Sequence, residues 1–217
     1  FVAASIEHTS VLKKLSNENI QTVVDVGANR GQFAVAARWH LPAAEIISFE
    51  PLEEAAAVFK KIFQQDNRVV LHPFAIGNKF ETTEIHVSNA DDSSSLLPIS
   101  ELQEAIFPGT AEKETRTIEV KPLDEVIAPG DLQQPALLKL DVQGFEIEVL
   151  QGSGELLQLF SFVYVECSFV ELYQGQSLAH DVIALLSSAG FKLVGIYNPS
   201  YGADGSAVQA DFLFEKP

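Results

Sequence analysis

Two periodicities take turns along this chain. Residues 7–15 carry apolar side chains at helical spacing, and a short apolar run, Thr22–Val26, comes next and stops at Gly27. Helical spacing returns over Gln32–His40, a β-rich run occupies Glu45–Phe49, and residues 52–65 put Ala55, Val58, Phe59, Ile62 and Phe63 on one helix face. Residues 68–76 read as a third strand. Short apolar runs alternating with amphipathic helices predict parallel strands covered by helices on both faces.

The middle of the chain has a different texture. Residues 82–88 and 115–121 alternate like half-buried strands, and DDSSSLL at 91–97 reads as a polar loop. Residues 78–134 are therefore expected to be an insertion of hairpin and loops, too short to own a core, within a single domain spanning 1–217 that opens with a helical segment at 1–20. The rhythm then resumes with strand Ala136–Leu140, helix 146–150, strand 162–166 and helix 177–189. Two closing strands at 192–197 and 210–215 flank a glycine-rich turn at 202–205, and so short a connection requires them to be antiparallel.

Charge narrows the partners. A formal net charge of −16 on 217 residues, with no basic cluster beyond the pairs Lys13-Lys14 and Lys60-Lys61, argues against nucleic acid and acidic membrane surfaces. A neutral or cationic small molecule is easier to accommodate. No apolar run is long enough to cross a bilayer, and the lone Cys167 lies in an apolar stretch, so it reads as a buried structural thiol in a cytoplasmic protein. Oligomeric state is not legible. His72, His86 and His180 lack metal-ligand spacing, and the chain has neither a G-x-S-x-G elbow nor a Walker loop.

Three segments carry the chemistry. In VVDVGANRGQFA, at 23–34, Gly27 and Gly31 flank a strand-to-helix turn, where glycine admits a positive φ and lets a ligand approach the backbone. A dinucleotide fingerprint needs glycine where this chain has Asn29, whose side chain would crowd a diphosphate but can hydrogen-bond an amino-acid-like group. Glu50, in SFEP at 48–51, ends the second strand 23 residues after Gly27, placed to accept from both hydroxyls of a ribose. In LLKLDVQGFEIEVLQG, at 137–152, strand periodicity puts Lys139 and Asp141 on one face. A buried lysine needs carboxylates beside it, so a row of Asp25, Lys139 and Glu166 or Asp141 is expected across the sheet. Asp141 stands at the carboxyl tip, where open α/β sheets bind ligands.

With these segments and DDSSSLL, the chain resembles the FkbM family of S-adenosylmethionine-dependent methyltransferases over residues 23–214. The resemblance implies a class I methyltransferase fold, an α/β Rossmann-like seven-stranded mixed sheet of order 3-2-1-4-5-7-6. It also implies that Asp25, Gly27, Asn29 and Gly31 surround the methionine part of the cofactor, Glu50 holds the ribose, Ala75 and Ile76 lie near the adenine, and Asp141 faces the transfer site. The acceptor it points to is a hydroxyl on a sugar, glycan or polyketide-like metabolite.

An alcohol is a poor nucleophile, so transfer to it needs in-line positioning and a nearby base. Asp141 is the first candidate to contact the acceptor, Glu166 the second, and His86 an outlying candidate for the base. Asp91, Asp92, Ser93 and Ser94 are candidate substrate or lid residues. No metal trio is evident; an alternative in which Asp141 and Asp91 or Asp92 hold Mg²⁺ requires that loop to fold over the site. Two rival readings stay open: an NAD-dependent oxidoreductase, and a non-catalytic module that binds the cofactor or a partner.

Overall fold

The computed structural model describes residues 6–217, apart from the side chain of Asp91. The first five residues of the expected N-terminal helical segment thus lie outside the described residues. A 3₁₀ turn, Ile6–His8, opens the described chain and runs into α1, Thr9–Leu15. Strands and helices then alternate: β1 (Thr22–Val26), α2 (Gln32–His40), β2 (Glu45–Phe49), α3 (Glu53–Ile62) and β3 (Val69–His72). Acidic residues Glu53 and Glu54 open α3 and Lys60 and Lys61 close it, a polarity that complements the helix dipole.

The expected third strand is broken in two. Pro73 has no N–H to offer a ladder, and after it the chain leaves β3 and forms β4 (Ala75–Ile76) in a different sheet. The inserted region is also more structured than hairpin and loops. β5 (Glu81–Ser88) pairs antiparallel with β6 (Glu112–Lys121), β4 adds to β6 in parallel, and the result is a three-stranded sheet of order β4-β6-β5. Ile85 and Val87 of β5 pack on Leu52 and Ala55 at the start of α3, while Ile76 of β4 joins the main core. Between β5 and β6 lies α4 (Glu101–Ile106), a helix too short for hydrophobic periodicity to reveal; its Ser100 cap accepts from the Gln103 N–H at 3.2 Å.

The rest of the large sheet comes from β7 (Ala136–Leu140), β8 (Phe162–Ser168), β9 (Lys192–Tyr201) and β10 (Ala207–Glu215), with α5 (Glu146–Gln151) and α6 (Ala179–Ser188) between. Its order is β3-β2-β1-β7-β8-β10-β9. The second sheet takes three of the strand numbers; counted within the large sheet alone, this order reads 3-2-1-4-5-7-6. β10 runs antiparallel to both β8 and β9, as the short turn required.

Central position explains the composition of β1 and β7. Every residue of both is buried, because α1 and α2 cover one face and α5 and α6 the other. Register aligns Asp25 with Lys139 and Lys139 with Tyr164. A charged row therefore crosses an otherwise apolar layer, and the carboxyl ends of β1, β2, β7 and β8 open together above it.

Candidate active site

Gly27 is where β1 hands over to the turn, and its conformation decides how closely two strand exits approach. Its φ is +79°, and a Cβ there would fall 1.8 Å from the Asp141 carbonyl oxygen, so no larger residue fits between β1 and β7. Gly31 serves packing instead. It caps α2 at φ +91° with a Cβ position 2.9 Å from the Phe59 ring, and it does not line the cavity.

The cavity opens beside Gly27. Asn29, Glu50, Ala75, Ile76 and Asp141 line it, and Ser94 and Asp92 come to it from the second sheet's connecting segment. Glu50 is held by the backbone: its Oε2 accepts from the Asn29 N–H at 2.9 Å and its Oε1 from the Leu52 N–H at 2.7 Å. Burial pushes its carboxyl up to about 7, against the pull of those two N–H groups. Asn29 Oδ1 and Gln32 Oε1 are buried without a hydrogen-bond partner, and both residues line the same cavity. Two orphaned acceptors beside a carboxylate suit a ligand rich in N–H and O–H donors, cationic at one end.

Beneath the cavity, Lys139 ties the sheet row together. Its Nζ lies 3.2 Å from Asp25 Oδ1 and 3.6 Å from Asp141 Oδ2, and it donates to the Gly27 carbonyl at 3.0 Å. Burial alone would lower the ammonium, but Asp25 and Asp141 hold it above the usual lysine range. Burial likewise pushes the Asp25 carboxyl up while Lys139 pulls it back. Asp25 is fully buried and works through Lys139, away from the cavity wall.

Glu166 does not complete this row. The neighbour of Lys139 on β8 is Tyr164, and Glu166 stands two positions further along β8, beyond the Leu140–Val165 pair. Gln143 bridges the two acids, donating from Nε2 to Asp141 Oδ1 at 2.7 Å and to Glu166 Oε2 at 2.9 Å. Gln209 donates to the other Glu166 oxygen at 2.9 Å, and Tyr173 donates to Gln143 Oε1 at 2.6 Å. Burial, with Asp141 and Asp211 nearby, keeps the Glu166 carboxyl well above the ordinary range. His86 lies elsewhere: its Nδ1 is 2.7 Å from Glu112 Oε2, and it lines neither this cavity nor its neighbour.

Several residues that build the site were not singled out from the sequence. Glu146 folds back on its own loop, where its Oε1 accepts from the Val142 and Gly144 N–H groups at 3.2 and 3.1 Å; burial pushes it up to about 7. A glutamate two residues after a glycine at a strand exit was the available signal. His8 lines the cavity from the N-terminal 3₁₀ turn, its Nδ1 2.9 Å from the Tyr164 hydroxyl, which donates to Asp211 Oδ2 at 2.7 Å. Burial lowers His8 below the usual imidazole value. Nothing in local sequence marks that trio, whose members are dispersed along the chain. Asp91 was a lid candidate, but its side chain lies outside the described residues. Among the described residues no group of three His, Cys, Asp or Glu side chains is placed to hold a metal ion. Among them, too, no helix is long and apolar enough to cross a membrane.

A doubly wound sheet closed by an antiparallel β10, with a glycine turn, a strand-end acid and an acidic β7 tip around one cavity, defines a class I methyltransferase. Within that class, residues 25–193 match the methyltransferase FkbM domain, and the chain belongs to this family. It is 32% identical to the 2-O-methyltransferase NoeI of Sinorhizobium fredii over 79% of this chain and 72% of that protein. It is 29% identical to the hexuronic acid methyltransferase AglP of Haloferax volcanii over 76% of this chain, spanning 61% of that protein. Among solved structures, the FkbM methyltransferase of Methylobacillus flagellatus superimposes with a TM-score of 0.55 at 13% identity, over 89% of this chain and 44% of that one. At that identity the likeness concerns the fold.

Proposed function

We propose that the protein transfers a methyl group from S-adenosylmethionine to a hydroxyl on a sugar, glycan or polyketide-like small molecule. The observation that carries this reading is the cavity wall: a backbone-fixed Glu50 carboxylate with the orphaned oxygens of Asn29 and Gln32 beside Gly27. Glu50 would hold the ribose hydroxyls, Asn29 and Gln32 the amino-acid end, and Ala75 and Ile76 the adenine. When bound, S-adenosylmethionine supplies an electrophilic methyl on a sulfonium centre.

The chain's own residues account for the rest. Asp141 joins the cavity to the acceptor side and is oriented by Gln143, so we assign it to accept the proton of the attacking hydroxyl. Glu166, fixed beside Asp141 by Gln143 and Gln209, can hydrogen-bond the acceptor and so position it. His86, paired with Glu112 outside the cavity, is left out of this assignment. Names of the two curated relatives, a 2-O-methyltransferase and a hexuronic acid methyltransferase, support a sugar hydroxyl. The acidic balance of the chain supports a small-molecule or glycan acceptor over nucleic acid, and a free buried thiol supports a cytoplasmic setting.

Calorimetry with S-adenosylmethionine, S-adenosylhomocysteine and NAD in parallel tests the reading. Binding of the first two without NAD is the expected result. Binding of NAD alone would move the protein to the oxidoreductases, and binding of none would leave an interaction module.

A further inference from the structure

Beyond the cofactor cavity lies a second one, of about 340 Å³, and the two share Asp92, Asp141 and Gln143 in their walls. One side of it is the sheet edge, where Glu166 and Gln209 stand; the other is α4 and the segment after it, with Gln103, Phe107 and Thr110. Gln103 is only 3% exposed, yet its Oε1 has no hydrogen-bond partner. A buried, unpartnered amide oxygen in a cavity wall calls for a donor from a ligand. Around it the wall presents carboxyl, amide and hydroxyl groups with a single aromatic ring.

The ionisable groups in this wall are all acids. Asp92, Asp141 and Glu166 line it, while neither Lys nor Arg does. Lys139 lines the cofactor cavity and is already engaged by Asp25 at 3.2 Å, Asp141 at 3.6 Å and the Gly27 carbonyl at 3.0 Å. A carboxylate on an acceptor would enter against these acids with neither Lys nor Arg in the wall to meet it. Hydroxyl groups face no such penalty, because they can donate to the Gln103 oxygen and to the acids and accept from the amides.

We infer that this second cavity is the acceptor subsite and that it takes a neutral polyhydroxylated ring while rejecting an anionic, carboxylated one. The inference rests on the methyl-transfer reading and narrows it: of the two relatives, it sets this chain apart from one named for a hexuronic acid. Docked there, the ring places a hydroxyl against Asp141, the residue the two cavities share.

The test uses the whole chain saturated with S-adenosylhomocysteine and a matched probe pair, methyl glucoside and methyl glucuronide, followed by saturation-transfer NMR titration. The glucoside is expected to bind about tenfold or more tightly than the glucuronide, the scale of one uncompensated like-charge contact. Gln103→Ala should weaken the glucoside about fivefold, the scale of one lost hydrogen bond, with S-adenosylhomocysteine affinity unchanged. Asp92→Asn, on an exposed turn, should narrow the gap between the two probes and guards against a misfolded Gln103 variant. Equal binding of the probes, preference for the glucuronide, or no glucoside binding would overturn the inference while leaving the cofactor assignment standing. Failure of S-adenosylhomocysteine to bind would instead remove the reading on which it rests.

Discussion

The two halves of this carboxyl edge are built by different means. On the side proposed for the cofactor the decisive groups are set by backbone: Gly27 is squeezed against the Asp141 carbonyl, and both Glu50 oxygens are fastened by main-chain N–H groups, those of Asn29 and Leu52. On the acceptor side, side chains hold side chains. Gln143, Glu166, Gln209 and Tyr173 come from separate parts of the chain, and α4 arrives from the insertion. A backbone-fixed site admits few substitutions without losing the turn itself. A side-chain network can change its members and keep the sheet, so the contrast separates a fixed grip, proposed for the cofactor, from an adjustable wall, proposed for the acceptor.

The comparison breaks most visibly at Lys139, which underlies both halves. Lys139→Met leaves Asp25 buried without its cation, and a loss of about 3–5 kcal/mol in urea denaturation is expected. A loss near zero would mean that the row is ornamental to the fold. Next in size, Asp141→Asn should lower turnover about 10²-fold or more while changing S-adenosylhomocysteine affinity little, the mark of an interaction made in the transition state. Equal losses in both would place Asp141 in the cofactor grip. Glu50→Ala should weaken S-adenosylhomocysteine binding by about 1.5–3 kcal/mol in calorimetry, with little effect on glucoside affinity once the cofactor is saturating.

The smallest effect is that of pH. Burial raises Glu50 to about 7 in the free protein, so its ionised form opposes folding increasingly as pH climbs from the ordinary carboxylate range through about 7. Ribose hydroxyls favour the ionised form, so binding must first release that proton below neutrality. S-adenosylhomocysteine affinity should therefore be about tenfold weaker at pH 6 than at pH 8, and Glu50→Gln should flatten the profile. An unchanged slope in that variant would point to another titrating group, Glu146 being the next at about 7.

Positions on the wall of the Gly27 cavity were legible in the chain for a simple reason. Gly27, Asn29 and Glu50 stand at strand ends, and strand ends announce themselves where apolar runs stop. The pairing of Lys139 with Asp25 was legible for a related reason: a lysine inside an apolar strand must find an acid. Which acid stands next to it on β8 was not, since a shift of two positions exchanges Tyr164 for Glu166 without disturbing the alternation. The Ser100-Glu101-Leu102-Gln103 spacing is a helix-start signal, but six helical residues carry too little periodicity to stand out beside it, and so α4 and the wall it supplies stayed hidden.

By itself the sequence determined the alternation of strands and helices that builds the large sheet, the antiparallel closing pair, the glycine turn and the acids at the strand tips. These come from periodicity, from the short reach of turns and from the high penalty on a lone buried charge. Tertiary structure alone decided that Pro73 sends the chain into a second sheet, that His8 and Asp211 meet at Tyr164, and that Gln103 and Glu166 face one cavity. Such contacts join residues far apart along the chain, where no local preference operates and only packing of the assembled layers selects the partner.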